Sequence, residues 1–249
     1  MPHTVNIFPL KIKARYYIND ILKVNQELLL HEIPAYHFTT VLRGKNQDYI
    51  RVFNEKYGEF TAQIIGIHRQ QVTIQILEQY KKYVLPTQHL HLAFAPLKKD
   101  ANDIVLEKAT ELGAQEISFI ITERTTNKPI DPQKGTLKVI NATQQCERLD
   151  IPTINPSVTL SSFLTKYNTP IFWLNEKRIS QTLQQQLQKT WVDNPIFLIG
   201  PEGGFTSAEY QLLGRNKNVH PVHFKGNILK AETACLTALI LYQSMAGNL

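Results

Sequence analysis

No apolar run in the 249 residues approaches the ~20 needed to cross a bilayer, and the opening stretch, Met1 to Leu10, lacks the long apolar segment of a signal peptide. Cysteine is nearly absent. Cys146 and Cys235 are too few for a disulfide framework, so both are expected as core thiols of a protein in a reducing cytoplasm. Also missing is any basic tail or charge run. The net charge is +6, yet residues 1–80, 81–140 and 141–249 each carry 9 basic and 7 acidic side chains, or +2 apiece. A pI near 9.2 permits a polyanionic partner, but folding must assemble the surface that meets it. His89 with His91, and His220 with His223, come without a Cys or carboxylate at ligand spacing, so no metal is expected.

What is present divides in two. With 43% hydrophobic and 19% charged residues the chain can bury a proper core. Segments 13–18, 49–54, 59–65 and 71–78 are rich in Val, Ile, Thr, Tyr and Phe, with turns at 54–58 and 66–70, which predicts a small all-β barrel over residues 1–80. Val72, Ile74 and Ile76 alternate with Thr73, Gln75 and Leu77 and give the last strand one apolar face. Between the strands, 34–43 reads as a short helix with Phe38, Val41 and Leu42 on one side. From residue 81 the rhythm changes. Apolar strands at 90–95, 117–121, 171–174, 196–199 and 222–224 alternate with helical stretches at 103–112, 137–149, 179–191 and 231–245, predicting a mostly parallel α/β sheet covered on both faces. The last helix is apolar nearly all round, with Leu236, Leu239 and Ile240 outside the stripe of Ala234, Ala238, Leu241, Tyr242 and Met245. That distribution predicts burial by a second subunit, hence a homodimer through the C-terminal helix.

The most unusual stretch is Ile199-Gly200-Pro201-Glu202-Gly203-Gly204-Phe205. A buried strand stops at a glycine, three glycines and a proline fill five positions, and Thr206 with Glu209 forms a capping box that starts a helix near Ser207. Such a loop exposes bare backbone to a ligand. A dinucleotide fold would place its glycines after the first strand of the domain, where Pro96-Leu97-Lys98-Lys99-Asp100 has none. No Gly-Lys-Ser or Gly-Lys-Thr follows, which excludes a P-loop, and Glu202 would repel a pyrophosphate. The loop suits a ligand with a cationic or neutral part.

With Ile228-Leu229-Lys230-Ala231-Glu232-Thr233-Ala234 downstream, the loop resembles that of the RsmE family, SPOUT-class methyltransferases acting on N3 of a uridine (uridine 1498 in the family) of 16S ribosomal RNA. Further matches are Glu107 to Gly113, Thr122 to Thr125, Gln145-Cys146-Glu147-Arg148 with Pro152, and His37 with Val41-Leu42-Arg43, so the resemblance spans nearly the whole chain in the family's order. It implies a PUA-like RNA-binding barrel at 1–80 and a SPOUT domain at 81–249 whose chain end forms a trefoil knot holding S-adenosylmethionine. It further implies a cytoplasmic homodimer whose partner is the 16S rRNA of the small ribosomal subunit, with no membrane. Carried over by position, the cofactor pocket would use Leu174, Asn175 and Glu176, then Ile199, Gly200, Pro201, Glu202, Gly203 and Gly204, then Ile228, Leu229, Lys230 and Thr233. The sequence departs from the family at Lys225, Asn227 and Lys230, where a glycine and two arginines are usual; here the glycine is shifted by one, to Gly226. Lysine keeps a charge but loses the planar fork.

Methyl transfer is an in-line displacement at a sulfonium carbon, so positioning contributes several kcal/mol. Uracil N3 carries a proton at neutral pH, and some group must accept it or stabilise the anion that develops. Arg124, at a strand end, is the candidate for the anion. Glu232 serves either as base or as cap of the final helix. Arg15, His37, Arg43, Lys98, Arg124 and Arg148 are candidates for RNA contact. Their alternatives are a solvated barrel charge for Arg15 and Arg43, packing for His37, a helix-entry charge for Lys98 and a fastened helix end for Arg148. A SPOUT enzyme with another RNA target, and a non-catalytic RNA-binding assembly factor, are the competing functions.

Overall fold

Two sheets of different character organise the computed structural model, which describes residues 10–69, 71–178 and 180–249. They belong to two separate units, Met1–Leu85 and Pro86–Leu249. The expected turn at Gln70, the helix start at Ile179 and most of the Met1 to Leu10 stretch lie outside the described residues.

The first unit holds β1 (Ile12–Tyr17), β2 (Glu27–Leu30), α1 (Glu32–Tyr36), a π-helical turn (His37–Val41), β3 (Tyr49–Asn54), β4 (Gly58–His68) and β5 (Gln71–Lys81). The sheet order is β1-β3-β4-β5-β2, with β1 parallel to β3 and the other pairs antiparallel. Val72, Ile74 and Ile76 are fully buried, as their alternation requires, and pack with Phe38, Ile50, Val52 and Ile64. The helical segment differs from expectation. Leu42 N donates to His37 O at 3.0 Å, an i→i+5 bond that widens the turn and breaks the 3.6-residue spacing. Phe38 is therefore buried while Val41 stands 58% exposed.

The second unit runs β6 (Leu90–Phe94), α2 (Lys99–Glu111), β7 (Ala114–Ile121), α3 (Pro132–Gln145), β8 (Thr153–Ile154), β9 (Val158–Thr159), α4 (Leu160–Lys166), β10 (Ile171–Leu174), β11 (Gln181–Thr182), α5 (Leu183–Lys189), β12 (Ile196–Ile199), α6 (Ser207–Arg215), β13 (Val219–His223) and α7 (Ala231–Met245). All its strand pairs are parallel, in the order β11-β13-β10-β12-β6-β7-β8, with β9 added beside β7. Alternation along β12 splits the core. Phe197 and Ile199 pack with α2, α3, α5 and α7, and Ile196 and Leu198 pack with α4 and α6. Both faces are covered. The chain places β12 between β10 and the earlier β6, so the glycine-rich loop at its C-terminal end lies at the centre of the sheet edge.

Several helix boundaries follow caps rather than apolar spacing. α3 starts at Pro132, with the Asp131 carboxylate accepting from Gln133 N, five residues before the expected start at Leu137. α5 starts after the Thr182–Gln185 capping box. Cys235 is fully buried and its thiol is pushed far up by burial, but Cys146, expected in the core, is partly exposed where α3 ends.

Away from the loop, β6 and β7 enclose a polar cluster. His91 is 2% exposed, with Nε2 2.8 Å from Ser118 Oγ and Nδ1 3.6 Å from the Glu116 carboxylate. Tyr167 Oη and Asn155 Nδ2 both donate to the same carboxylate. Burial lowers the His91 pKa from 6.5 to about 4, against the pull of Glu116 and with the repulsion of His89 and Lys166. The unfolded chain therefore binds the proton first as pH falls. Stability is expected to drop between pH 6.5 and about 4, by about 3 kcal/mol for this group. Urea unfolding across that range should show the drop in the wild type and lose most of it in His91→Gln.

Candidate functional site

Three loops meet at the C-terminal ends of β10, β12 and β13 around a cavity of about 670 Å³. The β10 loop supplies Leu174, Asn175 and Glu176, the β12 loop supplies Ile199 to Gly204, the segment before α7 supplies Ile228, Leu229 and Lys230, and the first turn of α7 supplies Glu232. These positions, far apart in sequence, are brought to one wall. Thr233 is the exception. It is exposed outside the cavity, and its carbonyl accepts the Thr237 hydroxyl at 2.8 Å.

Each glycine in the loop has its own reason. A Cβ on Gly200 would stand 2.5 Å from the ring of Phe205, which is buried against Trp173 and Tyr210. Gly204 adopts φ +69°, and its N–H closes a turn onto Pro201 O at 2.8 Å. Neither reason applies to Gly203. Its built Cβ meets only Arg124 Cβ and Cδ, at 3.6 and 3.7 Å, an ordinary contact. The protein alone leaves room there for a Cβ.

The walls are charged in both senses, with Glu176, Glu202 and Glu232 facing the same space as Lys98, Arg178 and Lys230. That mixture suits a ligand carrying an ammonium, a sulfonium and a carboxylate better than it suits a polyphosphate. Glu176 accepts a short hydrogen bond from Tyr210 Oη on α6, and Lys177 Nζ sits 3.7 Å from the centre of the Tyr210 ring. Burial first, then Glu176, push the Tyr210 phenol far up, so it remains a donor. Arg124, in the turn after β7, reaches the loop from outside the cavity wall, its Nη1 donating to Gly203 O at 2.8 Å. Glu232 lies in the first turn of α7, where a carboxylate complements the helix N-terminus, and the N-cap residue Lys230 makes no side-chain cap hydrogen bond. Arg178, His223, Phe224 and Asn227 also line the cavity. Asn227 is a position the resemblance had marked as a departure from the family; the other three fall just beyond the stretches picked from sequence, and only their adjacency to those stretches could have marked them.

The expected RNA contacts divide. Arg43 is exposed, and Lys98, exposed at the N-cap of α2, lines the cavity itself. Arg124 is exposed beside the loop, whereas Arg15, His37 and Arg148 bond within the protein. Arg15 Nε pairs with Glu59 at 2.7 Å, side chains 10% and 5% exposed, and its guanidinium lies 3.6 Å from the Phe53 ring centre. His37 Nδ1 meets Tyr16 Oη at 2.9 Å, fixing the π-helical turn to the sheet. Arg148 fastens a helix end. Its Nη1 donates to Thr110 O and Ala114 O at 2.7 and 2.8 Å, and Nη2 pairs with Asp150 at 2.5 Å. Arg148→Ala would strand two carbonyls and a carboxylate, so a loss of about 3 kcal/mol is expected in urea unfolding. RNA affinity should stay at the wild-type value.

Comparison with known proteins matches this geometry. Residues 84–243 fit the model of an RNA methyltransferase domain. The ribosomal RNA small subunit methyltransferase E of Rickettsia conorii is 36% identical over 228 residues, covering 90% of this chain and 93% of its own. A Legionella pneumophila methyltransferase solved with bound S-adenosylmethionine superposes with a TM-score of 0.84 at 28% identity, covering 94% of this chain and 98% of its own. The Neisseria gonorrhoeae ribosomal RNA small subunit methyltransferase E, solved with the same cofactor, superposes at 0.81 and 24% identity, covering 93% and 97%, and so shares the fold. A match over more than half of the chain to the domain model, and a relative more than one third identical across nearly its full length, show that this chain belongs to the ribosomal RNA small subunit methyltransferase E family.

Proposed function

We propose that this protein methylates N3 of a uridine of 16S rRNA, at the family's position 1498, in the small ribosomal subunit. That it is an rRNA methyltransferase using S-adenosylmethionine follows from its family. The observation that carries the reading is the glycine loop, where Gly203 is bare for no reason internal to the protein. When bound, the cofactor supplies an electrophilic methyl group on a sulfonium sulfur.

The chain's own residues do the rest. Backbone of Ile199 to Gly204 and of Ile228 to Lys230 frames the cofactor, and Leu174, Asn175 and Glu176 close the third side, with carboxylates available to its cationic groups. Arg124 uses one N–H on Gly203 O and keeps others for the uracil oxygen on which negative charge develops. Glu232, whose residue lines the cavity, accepts the N3 proton. Asn227 and Lys230 replace two family arginines in that wall, and Lys230 supplies a point charge without bidentate recognition.

The five-stranded unit to Leu85, five residues longer than expected, serves as a PUA-like RNA-binding domain, with Arg43 exposed on it. The chain end makes a trefoil knot, a reading supported by β12 lying between β10 and β6 and by the approach of 227–232 to the glycine loop. Two copies associate through α7, whose Ile240 is 47% exposed, in the cytoplasm. Among the described residues no helix is long and apolar enough to cross a membrane. Mass spectrometry of 16S rRNA from cells lacking the protein tests the substrate. Loss of N3-methyluridine is expected, and an unchanged level would exclude this uridine.

A further inference from the structure

The capping box of α6 contains more than a cap requires. Thr206 N donates to Glu209 Oε2 at 2.8 Å and Glu209 N donates to Thr206 Oγ1 at 3.3 Å, which completes the box. Glu209 is only 6% exposed, so its second oxygen would be costly to bury alone. That oxygen, Oε1, accepts Glu123 N at 2.9 Å, from the turn after β7 and 86 residues away in sequence. The equivalent box on α5 is built with Gln185, whose single oxygen accepts Thr182 N at 3.0 Å. An amide therefore suffices to cap a helix in this protein. The carboxylate at 209 has the additional partner.

The turn it holds is Thr122-Glu123-Arg124-Thr125, closed by Thr125 N on Thr122 O at 3.1 Å and by Thr122 N on Thr125 Oγ1 at 2.9 Å. Arg124 leaves this turn and reaches Gly203 O. One carboxylate thus clamps the arginine's turn to the helix that carries the glycine loop, and fixes the base of a long side chain whose tip touches that loop. We propose that Glu209 is a positioning residue for methyl transfer, holding Arg124 in register with the cofactor loop through Glu123 N. The proposal rests on the role given to Arg124 above.

Two variants remove the tether and leave the cap. Glu209→Gln keeps one acceptor, as in α5. Glu123→Pro deletes the donor at position i+1 of the turn, where proline is favoured. Single-turnover methylation of small ribosomal subunits should slow about 10- to 100-fold in each. S-adenosylmethionine affinity by calorimetry should stay within about twofold, because the loop remains capped. The decisive comparison is with Arg124→Ala. In that background neither variant should slow the reaction further, as coupled residues are not additive. A slow Arg124→Ala enzyme in which Glu209→Gln and Glu123→Pro cost as much as they do in the wild type would overturn the tether alone. Cofactor affinity falling in proportion to rate would also overturn it, since that marks a collapsed loop. An Arg124→Ala enzyme of wild-type rate would overturn the underlying role of Arg124, and the tether with it. Should Glu209→Gln fail to fold, Glu123→Pro decides by the same comparison.

Discussion

Replacing Arg124 with alanine should lower kcat about a hundredfold or more while leaving the fold and cofactor affinity nearly intact. The size follows from its task. A donor aimed at an oxygen that gains charge only in the transition state contributes about 2.7–4 kcal/mol when removed singly. The side chain is exposed, outside the cavity wall, and makes its contact with a backbone carbonyl, so its loss creates no core cavity. Arg124→Lys should recover part of the rate, because the charge remains while the fork that serves Gly203 O and a substrate oxygen together is lost. Steady-state kinetics beside calorimetric binding distinguishes this from a binding defect. A parallel rise in KM and cofactor Kd at constant kcat would assign Arg124 to ligand binding.

The second large effect is on binding. Gly203→Val should weaken S-adenosylmethionine about a hundredfold and shift the melting temperature little. The backbone at Gly203 does not have the positive φ of Gly204, and a Cβ there meets Arg124 at ordinary contact distance, so the folded chain accepts a Cβ at this position. Gly203 lines the cavity, so side-chain bulk added there is expected to crowd a cofactor seated on the loop. Gly200→Ala provides the contrast, since its Cβ would press the Phe205 ring at 2.5 Å and its cost should appear in stability before binding. Calorimetry and thermal unfolding on both variants separate the two roles. A folded Gly203→Val protein with unchanged affinity would remove the loop from the cofactor site.

Local signals were legible in the sequence. The stop at Gly200, the Thr206–Glu209 box, α7 at Ala231–Met245 and the apolar face of Val72, Ile74 and Ile76 each depend on neighbours within a few residues. The wall of the cavity was legible nearly residue by residue, through the resemblance of two motifs. Less accessible were features set by competition or by distance. β2 has three successive leucines and no alternation, so nothing in its pattern separates strand from helix. α4 is a short helix begun by Thr159, which apolar spacing alone does not detect. Charged side chains were the hardest to place. Arg15 finds Glu59, Arg148 finds two carbonyls of the α2–β7 connection, and Glu209 finds Glu123 N, all through folding that brings distant segments together. An arginine's type reveals its donors but not whether protein or RNA receives them.

The reaction proposed for this site moves a methyl group to N3 of one uridine of the small subunit. It is tested most directly by incubating the protein with labelled S-adenosylmethionine and small ribosomal subunits that lack the modification, then identifying the labelled nucleoside. N3-methyluridine is expected at a single position of 16S rRNA, with label abolished by Gly203→Val. Label on a different nucleoside, or none on subunits while the cofactor still binds, would contradict it.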